Sequence, residues 1–549
     1  MRNKIYKLSI FFFLLLSLTA AFIPKDRYFE IAKSIEIFAS LFKEVNHYYV
    51  EETSPTSMAK TAIESMLASL DPYTNYIPED RIEDYRTMST GEFAGVGAVL
   101  HEREGAFIIT DVMLGYAADE GGLLIGDELI NINGIDIKGR PQESVERMLK
   151  GQDGSVVNLV VKRFGSESPL SLKLEYSKVK RKNVPYFGMV TNDIGLVQLT
   201  DFTQQASLEV KNAVIELKDQ GAKKIILDLR ENPGGLLNEA VDITNVFLDR
   251  GLDIVFMKGR SEEWSKNYTS TNEPVDTKMP LAILVNENSA SASEIVSGVL
   301  QDYDRGVVVG RQSYGKGLVQ TTTKLSYNSQ LKVTVAKYYI PSGRCVQAID
   351  YSHRNEFGIP IKLPESKREE FKTKNGRVVF DGAGVDPDVE KEKVVYAPIT
   401  KALIDKNLIF DYATEFRIKN ESIDSTRIFE LDDAQYQNFV NWLKDKDYNY
   451  TTKMENTLEE LVASSKSERY YSDIKKQIDN LRSGIDKNKE LDLVNFKEEI
   501  KQVLEKEIAT RYYLDRGKIE ATFDNNPDVL AAIEILNSPE KYKEILAPQ

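Results

Sequence analysis

One cysteine, Cys345, stands in a chain of 549 residues. A lone thiol excludes a disulfide framework and any Cys-rich zinc site. There are three histidines, His47, His101 and His353, and no two have the H-E-x-x-H spacing of a zinc-protease helix. Few residues are therefore candidates for a histidine base. Positive charge is also in deficit. Lys and Arg number 71 against 85 Asp and Glu, a net charge of −14 with a pI near 5.1. No separately basic block offsets this, which speaks against nucleic acid as a partner. The acidic stretches "EDRIEDY" (79–85) and "LDDAQ" (431–435) lack metal-ligand spacing, so neither a metal nor a cofactor is expected. Disorder is excluded by composition, with 42% hydrophobic and 28% charged residues. At ~150 residues per domain the length points to three or four domains.

Long apolar runs are equally scarce. The one candidate is Leu8 to Ile23, 16 uncharged residues between Arg2, Lys4 and Lys7 on one side and Lys25, Asp26 and Arg27 on the other. That is short for a membrane span, which wants ~20 residues. A charged start before an apolar run is the pattern of a cleaved signal peptide, with small residues at Thr19 to Ala21 for the cut. An uncleaved anchor is the second reading. Either way residues 1–24 address the chain for export, to the periplasm or cell envelope, free or held at the inner membrane.

The rest of the chain divides by pattern. Arg27 to Glu52 reads as an amphipathic helix, with Ile31, Ile35, Phe38, Leu41, Phe42 and Val45 at helical spacing. Ser57 to Leu70 repeats the signal, and "DPYTNYIPED" (71–80) breaks it with two prolines. These make an amino-terminal helical segment, 25–82. Residues 83–178 are different, because short apolar runs alternate with glycines, as in "GEFAGVGAVL" (91–100) and "DELININGIDI" (127–137). This predicts a small β-rich module with one short helix at 141–151. Over 179–395 strand patterns alternate with helical ones, which predicts an α/β core. Its strands are "IGLVQL" (194–199), "KKIILDLR" (223–230), "LAILVNE" (281–287), "GVVVG" (306–310) and "LKVTVAKYYI" (331–340). After residue 400 only Gly484 and Gly517 remain of 32 glycines, and Lys, Glu, Leu and Ile dominate. Residues 396–549 thus form a helical carboxy-terminal domain, able to mediate a homodimer or dock an adaptor.

Two segments carry chemistry together, "NSASASEI" (288–295) and "SYGKGLVQ" (313–320). Gly310, Gly315 and Lys316 match G-x4-G-K, but Gly317 stands where a phosphate loop needs Ser or Thr, and the residues after it have a strand pattern. Nucleophilic catalysis is the better fit. A serine hydroxyl needs a base, and a lysine can serve when burial or nearby cations lower its pKa by roughly three units from ~10.4. Ser291 sits where a strand turns into a helix, with free backbone N–H groups nearby. Lys316 lies between two glycines, and an extended chain would turn Gln320 to the same face as Lys316, where a neutral amide could orient the amine. The N–H of Ala292 is one candidate oxyanion donor. "NPGG" (232–235) also comes after a strand and can supply a second, since glycine permits close backbone approach. Taken singly, each motif also reads as a helix cap, a turn or a flexible loop.

At these residues the chain resembles the carboxy-terminal processing peptidases, the tail-specific serine proteases with a Ser-Lys dyad. The likeness runs through 288–320 and extends to "LDLRENPGGLLNEAVDI" (227–243), "KYYIPSGRCVQ" (337–347), "GAGVDPDVE" (382–390) and "MLASLDPYTNY" (66–76). It implies Ser291 as nucleophile, Lys316 as base and Gln320 beside it, with Ala292 and Gly234 or Gly235 as the oxyanion hole. It also implies a mixed α/β fold, a crotonase- or ClpP-like core carrying an inserted PDZ module between amino-terminal helices and the helical carboxy-terminal domain. The segment 111–139 is similar to the PDZ pattern, and "GVGA", Gly95, Val96, Gly97 and Ala98, resembles the PDZ loop that holds a chain-terminal carboxylate. The chain departs from the family at "YAADEGGL" (116–123), which lacks the proline of S-P-A-x-x-A-G-L. The implied function is a serine endopeptidase that recognises the C-terminal tails of unfolded or partner proteins through its PDZ module. The module's position suits a block on the site that tail binding relieves. The alternative is a non-catalytic PDZ scaffold of the cell envelope.

Overall fold

The computed structural model describes residues 25–548, so the apolar run at Leu8 to Ile23 lies outside the described residues. Among the described residues no helix is long and apolar enough to cross a membrane. The described residues fall into two units, divided after Tyr76.

The first unit holds α1 (Lys25–Tyr48) and α2 (Pro55–Ala68). Pro55 opens α2, where its missing N–H costs nothing, and the Ser54 hydroxyl accepts from Ser57 N–H at 3.4 Å. The turn after α2 is made by Asp71, whose carboxylate accepts the N–H groups of Tyr73 and Thr74 at 2.8 Å each. The helical periodicity of α1 is present, but its apolar face is not buried: Ile35 is 64% and Leu41 60% exposed.

In the second unit a helix, α3 (Ile82–Thr90), precedes the β-rich module, whose first strand is β1 (Glu92–Gly95). Strands β2 (Ala98–Arg103), β3 (Ala106–Val112), β4 (Glu128–Ile132), β5 (Val156–Lys162) and β6 (Leu170–Glu175) form an antiparallel sheet in chain order, with α4 (Gln142–Met148) beside it. β7 (Ser177–Lys180) pairs with β1 and leads out. Alternate residues of β5, Val157, Leu159 and Val161, are wholly buried, as the period-two pattern requires.

The core is a six-stranded sheet in the order β8 (Tyr186–Met189), β9 (Ile194–Gln198), β10 (Lys224–Asp228), β13 (Leu281–Val285), β14 (Val307–Gly310) and β17 (Val389–Glu390). The β8–β9 pair is antiparallel and the rest are parallel. Every residue of β13 is buried, with no alternation, because the sheet is covered on both faces. On one face lie α5 (Ala206–Asp219), α6 (Leu237–Phe247) and α7 (Ala292–Asp302). A second, antiparallel layer is built from β11 (Asp253–Gly259), β12 (Lys266–Thr269), β15 (Leu318–Lys324) and β16 (Gln330–Tyr339).

The helices of seven or more residues after residue 397 are α8 (Pro398–Asp405), α9 (Leu408–Lys419), α10 (Asp433–Trp442), α11 (Lys453–Ser467), α12 (Tyr471–Glu490), α13 (Lys497–Glu520), α14 (Pro527–Asn537) and α15 (Pro539–Ile545). They do not form one separate bundle. Phe523, Val529, Ala532 and Ile535 cover the second face of the core sheet, against Leu196, Ile226, Leu284 and Val309. The β-rich module in turn leans on α9. Arg103 makes a two-pronged pair with Asp411, at 2.6 and 2.7 Å, and Phe410 and Leu514 pack against the module's own core.

Candidate active site

The site forms where three loops meet at the carboxyl ends of β10, β13 and β14. Ser291 ends the loop after β13 and caps α7. Its backbone lies at φ 55° and ψ −109°, a conformation a residue with a side chain adopts only when its surroundings hold it there. The holding groups are specific. Asn232, itself buried, donates to Leu199 O at 2.7 Å and accepts through its own carbonyl from Ala290 N–H at 3.0 Å and Ser293 Oγ at 2.9 Å. Gly234 (φ 94°) lies directly behind the turn, where a Cβ would come within 2.6 Å of Ala290 O and 2.8 Å of Ala292 N. Ala292 is the first residue of α7, so its N–H has no acceptor in its own helix. The Gly234 N–H donates to Asn232 Oδ1 at 2.9 Å, and Gly235 meets Phe202 edge to edge.

Lys316 lies in the loop between β14 and β15, not within a strand. β15 begins at Leu318, so the segment after G-x4-G-K is a strand and not the helix of a phosphate loop. The alternation that would put Lys316 and Gln320 on one face is interrupted by a bulge between Val319 and Gln320. Gln320 Nε2 donates to Thr334 Oγ1 at 3.2 Å.

The residue that joins the segments is one to which the sequence motifs assign no role. Glu294, wholly buried, accepts from Ser291 N–H and Lys316 N–H at 2.8 Å each on Oε2, and from Gly315 N–H at 2.7 Å and Ser313 Oγ at 2.6 Å on Oε1. Burial pushes its carboxyl pKa up, and the four hydrogen bonds pull against that shift. A glutamate three residues after a helix-capping serine is a recognisable pattern, and here its carboxylate does hold the cap's N–H. Tyr338 on β16 completes the joint, with its hydroxyl 3.1 Å from Ser291 O and 2.9 Å from Lys316 O. Burial, with Glu294 and Cys345 nearby, raises its pKa well above the usual value. Cys345 packs behind Gly317, with its thiol pKa raised by burial. The glycine-rich stretch at 382–385 has its place here too. Gly384 (φ 81°) passes so close that a Cβ would lie 2.6 Å from Ser313 Oγ, and Val385 N–H donates to that oxygen at 2.7 Å. Among the described residues no group of three or more His, Cys, Asp or Glu is placed to hold a metal ion.

In the β-rich module Gly95, Val96 and Gly97 are buried and Ala98 is half-buried. Val96 N–H donates to Leu149 O at 3.2 Å, its carbonyl accepts from Ala118 N–H at 2.8 Å, and Gly97 O accepts from Met113 N–H at 2.8 Å. Tyr116 packs over Gly97, and its hydroxyl bonds to the backbone of Lys180 in β7, at 3.0 Å to the carbonyl.

Comparison with known proteins finds likenesses to three parts of the chain. The profile of peptidase family S41 matches residues 193–352, that of a PDZ domain matches 108–163, and that described as "Probable PDZ-protease, C-terminal helical domain" matches 399–536. The "Probable CtpA-like serine protease" of Staphylococcus aureus (strain bovine RF122 / ET3-1) is 31% identical over 383 residues, 69% of this chain and 75% of that protein. The "Carboxy-terminal-processing protease" of Bartonella bacilliformis is 34% identical over 321 residues, 58% of this chain and 73% of that protein. Among solved structures, the photosystem II D1 C-terminal processing protease is 26% identical with a TM-score of 0.36, covering 64% of this chain and 86% of that one.

Proposed function

The chain belongs to peptidase family S41, the carboxy-terminal processing serine peptidases, and from that premise we propose that it cuts proteins by a Ser-Lys mechanism after its PDZ domain has taken hold of their C-terminal tails. We read the core as crotonase-like, with boundaries near 83–178 for the PDZ domain and 179–395 for the peptidase core. The observation that carries the mechanism is the shared oxygen of Glu294. It brings the backbone of Ser291, in its strained turn, and that of Lys316 to a single atom.

Ser291 Oγ forms a bond to the scissile carbonyl carbon while its proton passes to the neutral amine of Lys316. The carbonyl oxygen becomes an oxyanion facing the N–H of Ala292 and an N–H of the Gly234–Gly235 turn. For Gly234 this requires its N–H to leave Asn232 Oδ1. The C–N bond then breaks as Lys316 returns the proton to the leaving amine. Water attacks the acyl ester, gives its proton to Lys316, and releases the new carboxylate as Ser291 recovers its hydrogen. Gln320 orients the amine without a charge that would hold it protonated.

The tail enters as a strand with its carboxylate at Gly95, Val96, Gly97 and Ala98. Opening this loop means loosening the Val96–Leu149 bond, which suits a domain that binds only when a tail arrives. We place the protein in the bacterial cell envelope, exported by residues 1–24.

The test is incubation of a chain beginning near Pro24, and of its Ser291→Ala variant, with an unfolded protein bearing an apolar C-terminus, with fragments identified by mass spectrometry. Wild-type cleavage that falls about a thousandfold or more in the variant is expected. Equal cleavage by both, or by neither in the presence of C-terminal peptide, overturns the proposal.

A further inference from the structure

Two atoms join Ser291 to Lys316. One carboxylate oxygen of Glu294 takes the N–H of both residues, each at 2.8 Å. One hydroxyl, that of Tyr338, faces the carbonyl of both, at 3.1 and 2.9 Å. The bridged residues belong to different elements, the start of α7 and the loop before β15. Both bridging side chains are out of solvent, Glu294 at 0% and Tyr338 at 1% exposure, so water does not compete for these bonds.

We propose that Glu294 and Tyr338 are positioning residues that set the register between the Ser291 and Lys316 backbones, and through it the approach of hydroxyl to amine. This rests on the Ser-Lys mechanism above. Neither side chain needs to touch the substrate. A single-atom bridge is sensitive to displacement, because sliding either segment by about 1 Å stretches its bond beyond hydrogen-bond range. Misplacement of that size is enough to cost on the order of a hundredfold in rate.

The chemistry of the bridge is set by its donors. All four groups that meet the Glu294 carboxylate are donors, so the ionised form satisfies every one of them. A glutamine would turn an NH2 group against two of those donors while keeping the shape. Tyr338 allows a finer cut. A phenylalanine keeps the buried ring and removes only the hydroxyl. Ser291 O would still hold the helix N–H groups of Glu294 and Ile295, each at 2.9 Å, so the loss falls on the carbonyl of Lys316. If Tyr338 served only to fill the core, phenylalanine would leave catalysis unchanged.

The experiment uses the full chain with Tyr338→Phe, Glu294→Gln and the double variant, beside wild type and Ser291→Ala. It measures kcat and KM on an unfolded protein substrate, and amide hydrogen exchange without substrate. Tyr338→Phe is expected to lower kcat about tenfold and Glu294→Gln about a hundredfold, with KM within about twofold. Because both act on one register, the double variant should fall well short of the roughly thousandfold product. Exchange should quicken in 289–295 and in 313–317 together, and not in the PDZ strands. A folded Tyr338→Phe protein with wild-type kcat, a loss carried by KM alone, or loosening of only one of the two segments overturns the proposal. Exchange reads the register without catalysis. An inactive wild type whose two segments loosen together in the variants sinks the peptidase mechanism and leaves the register intact, whereas an active wild type with unaffected variants sinks the register alone.

Discussion

Two non-glycine residues share nearly the same unusual backbone. Ser291 lies at φ 55°, ψ −109°, and Leu514, inside α13, at φ 50°, ψ −134°. Each holds of order 1–3 kcal/mol of conformational strain. Each is backed by a close glycine. Gly234 stands behind Ser291, and Gly517 stands where a Cβ would lie 2.2 Å from Ala509 O. What surrounds them differs. Around Ser291 the partners are polar and converge on it from three loops. Around Leu514 they are apolar, and the corner turns the chain so that α13 packs against α9 before it and reaches the core sheet after it, where Glu520 meets the Tyr186 hydroxyl at 3.1 Å. Strain thus marks a place where the fold over-determines the chain. The chemistry of the neighbours says whether the purpose is reaction or routing.

This contrast can be broken by filling each glycine. Gly234→Ala is expected to lower kcat about a hundredfold, because its neighbours are the backbone of the Ser291 turn and cannot step aside. Retained activity would show that the turn is not held from behind. Gly517→Ala is expected to destabilise the fold by about 2–4 kcal/mol while the folded fraction keeps kcat within about twofold. Thermal unfolding beside kinetics checks both, and lost kcat in Gly517→Ala would make the two corners alike. The smallest effect is expected at Gly484, in the exposed α12, where a Cβ meets nothing within 4 Å. Alanine there should stabilise the protein by about 0.5–1 kcal/mol, as for any exposed helix interior.

Much of this is legible in the sequence, and the limits have physical causes. The strands at 194–198, 224–228, 281–285 and 307–310 are readable because buried parallel strands are short apolar runs between turn residues. Ser291 is readable because a strand-to-helix turn leaves a local pattern. The roles of Glu294 and Tyr338 are not, since each depends on a partner brought from 22 residues away by the fold. The bulge at Val319–Gln320 leaves no mark in the alternation it disrupts. The helix α5 does leave a signal that the strand-and-helix reading above passes over, with Ala206, Val210, Ala213, Val214 and Leu217 on one buried face. The opposite failure is α1. Its periodicity is plain, yet Ile35 and Leu41 stay exposed, because spacing predicts a face and not what covers it. The scarcity of glycine after residue 400 carries more than helical propensity, since one of the two survivors is the back of the Leu514 corner.

The cover on the second face of the core sheet has a consequence in time. Strands β8 to β14 are complete by residue 310, but Phe523, Val529 and Ile535, which close their far face, come more than two hundred residues later. At ~5–20 residues per second that interval is on the order of ten seconds or longer. During it Leu196, Ile226, Leu284 and Val309 have nothing dry to rest on. A chain that stops between residue 385 and α14 therefore carries the residues of the site on a sheet covered on one face only.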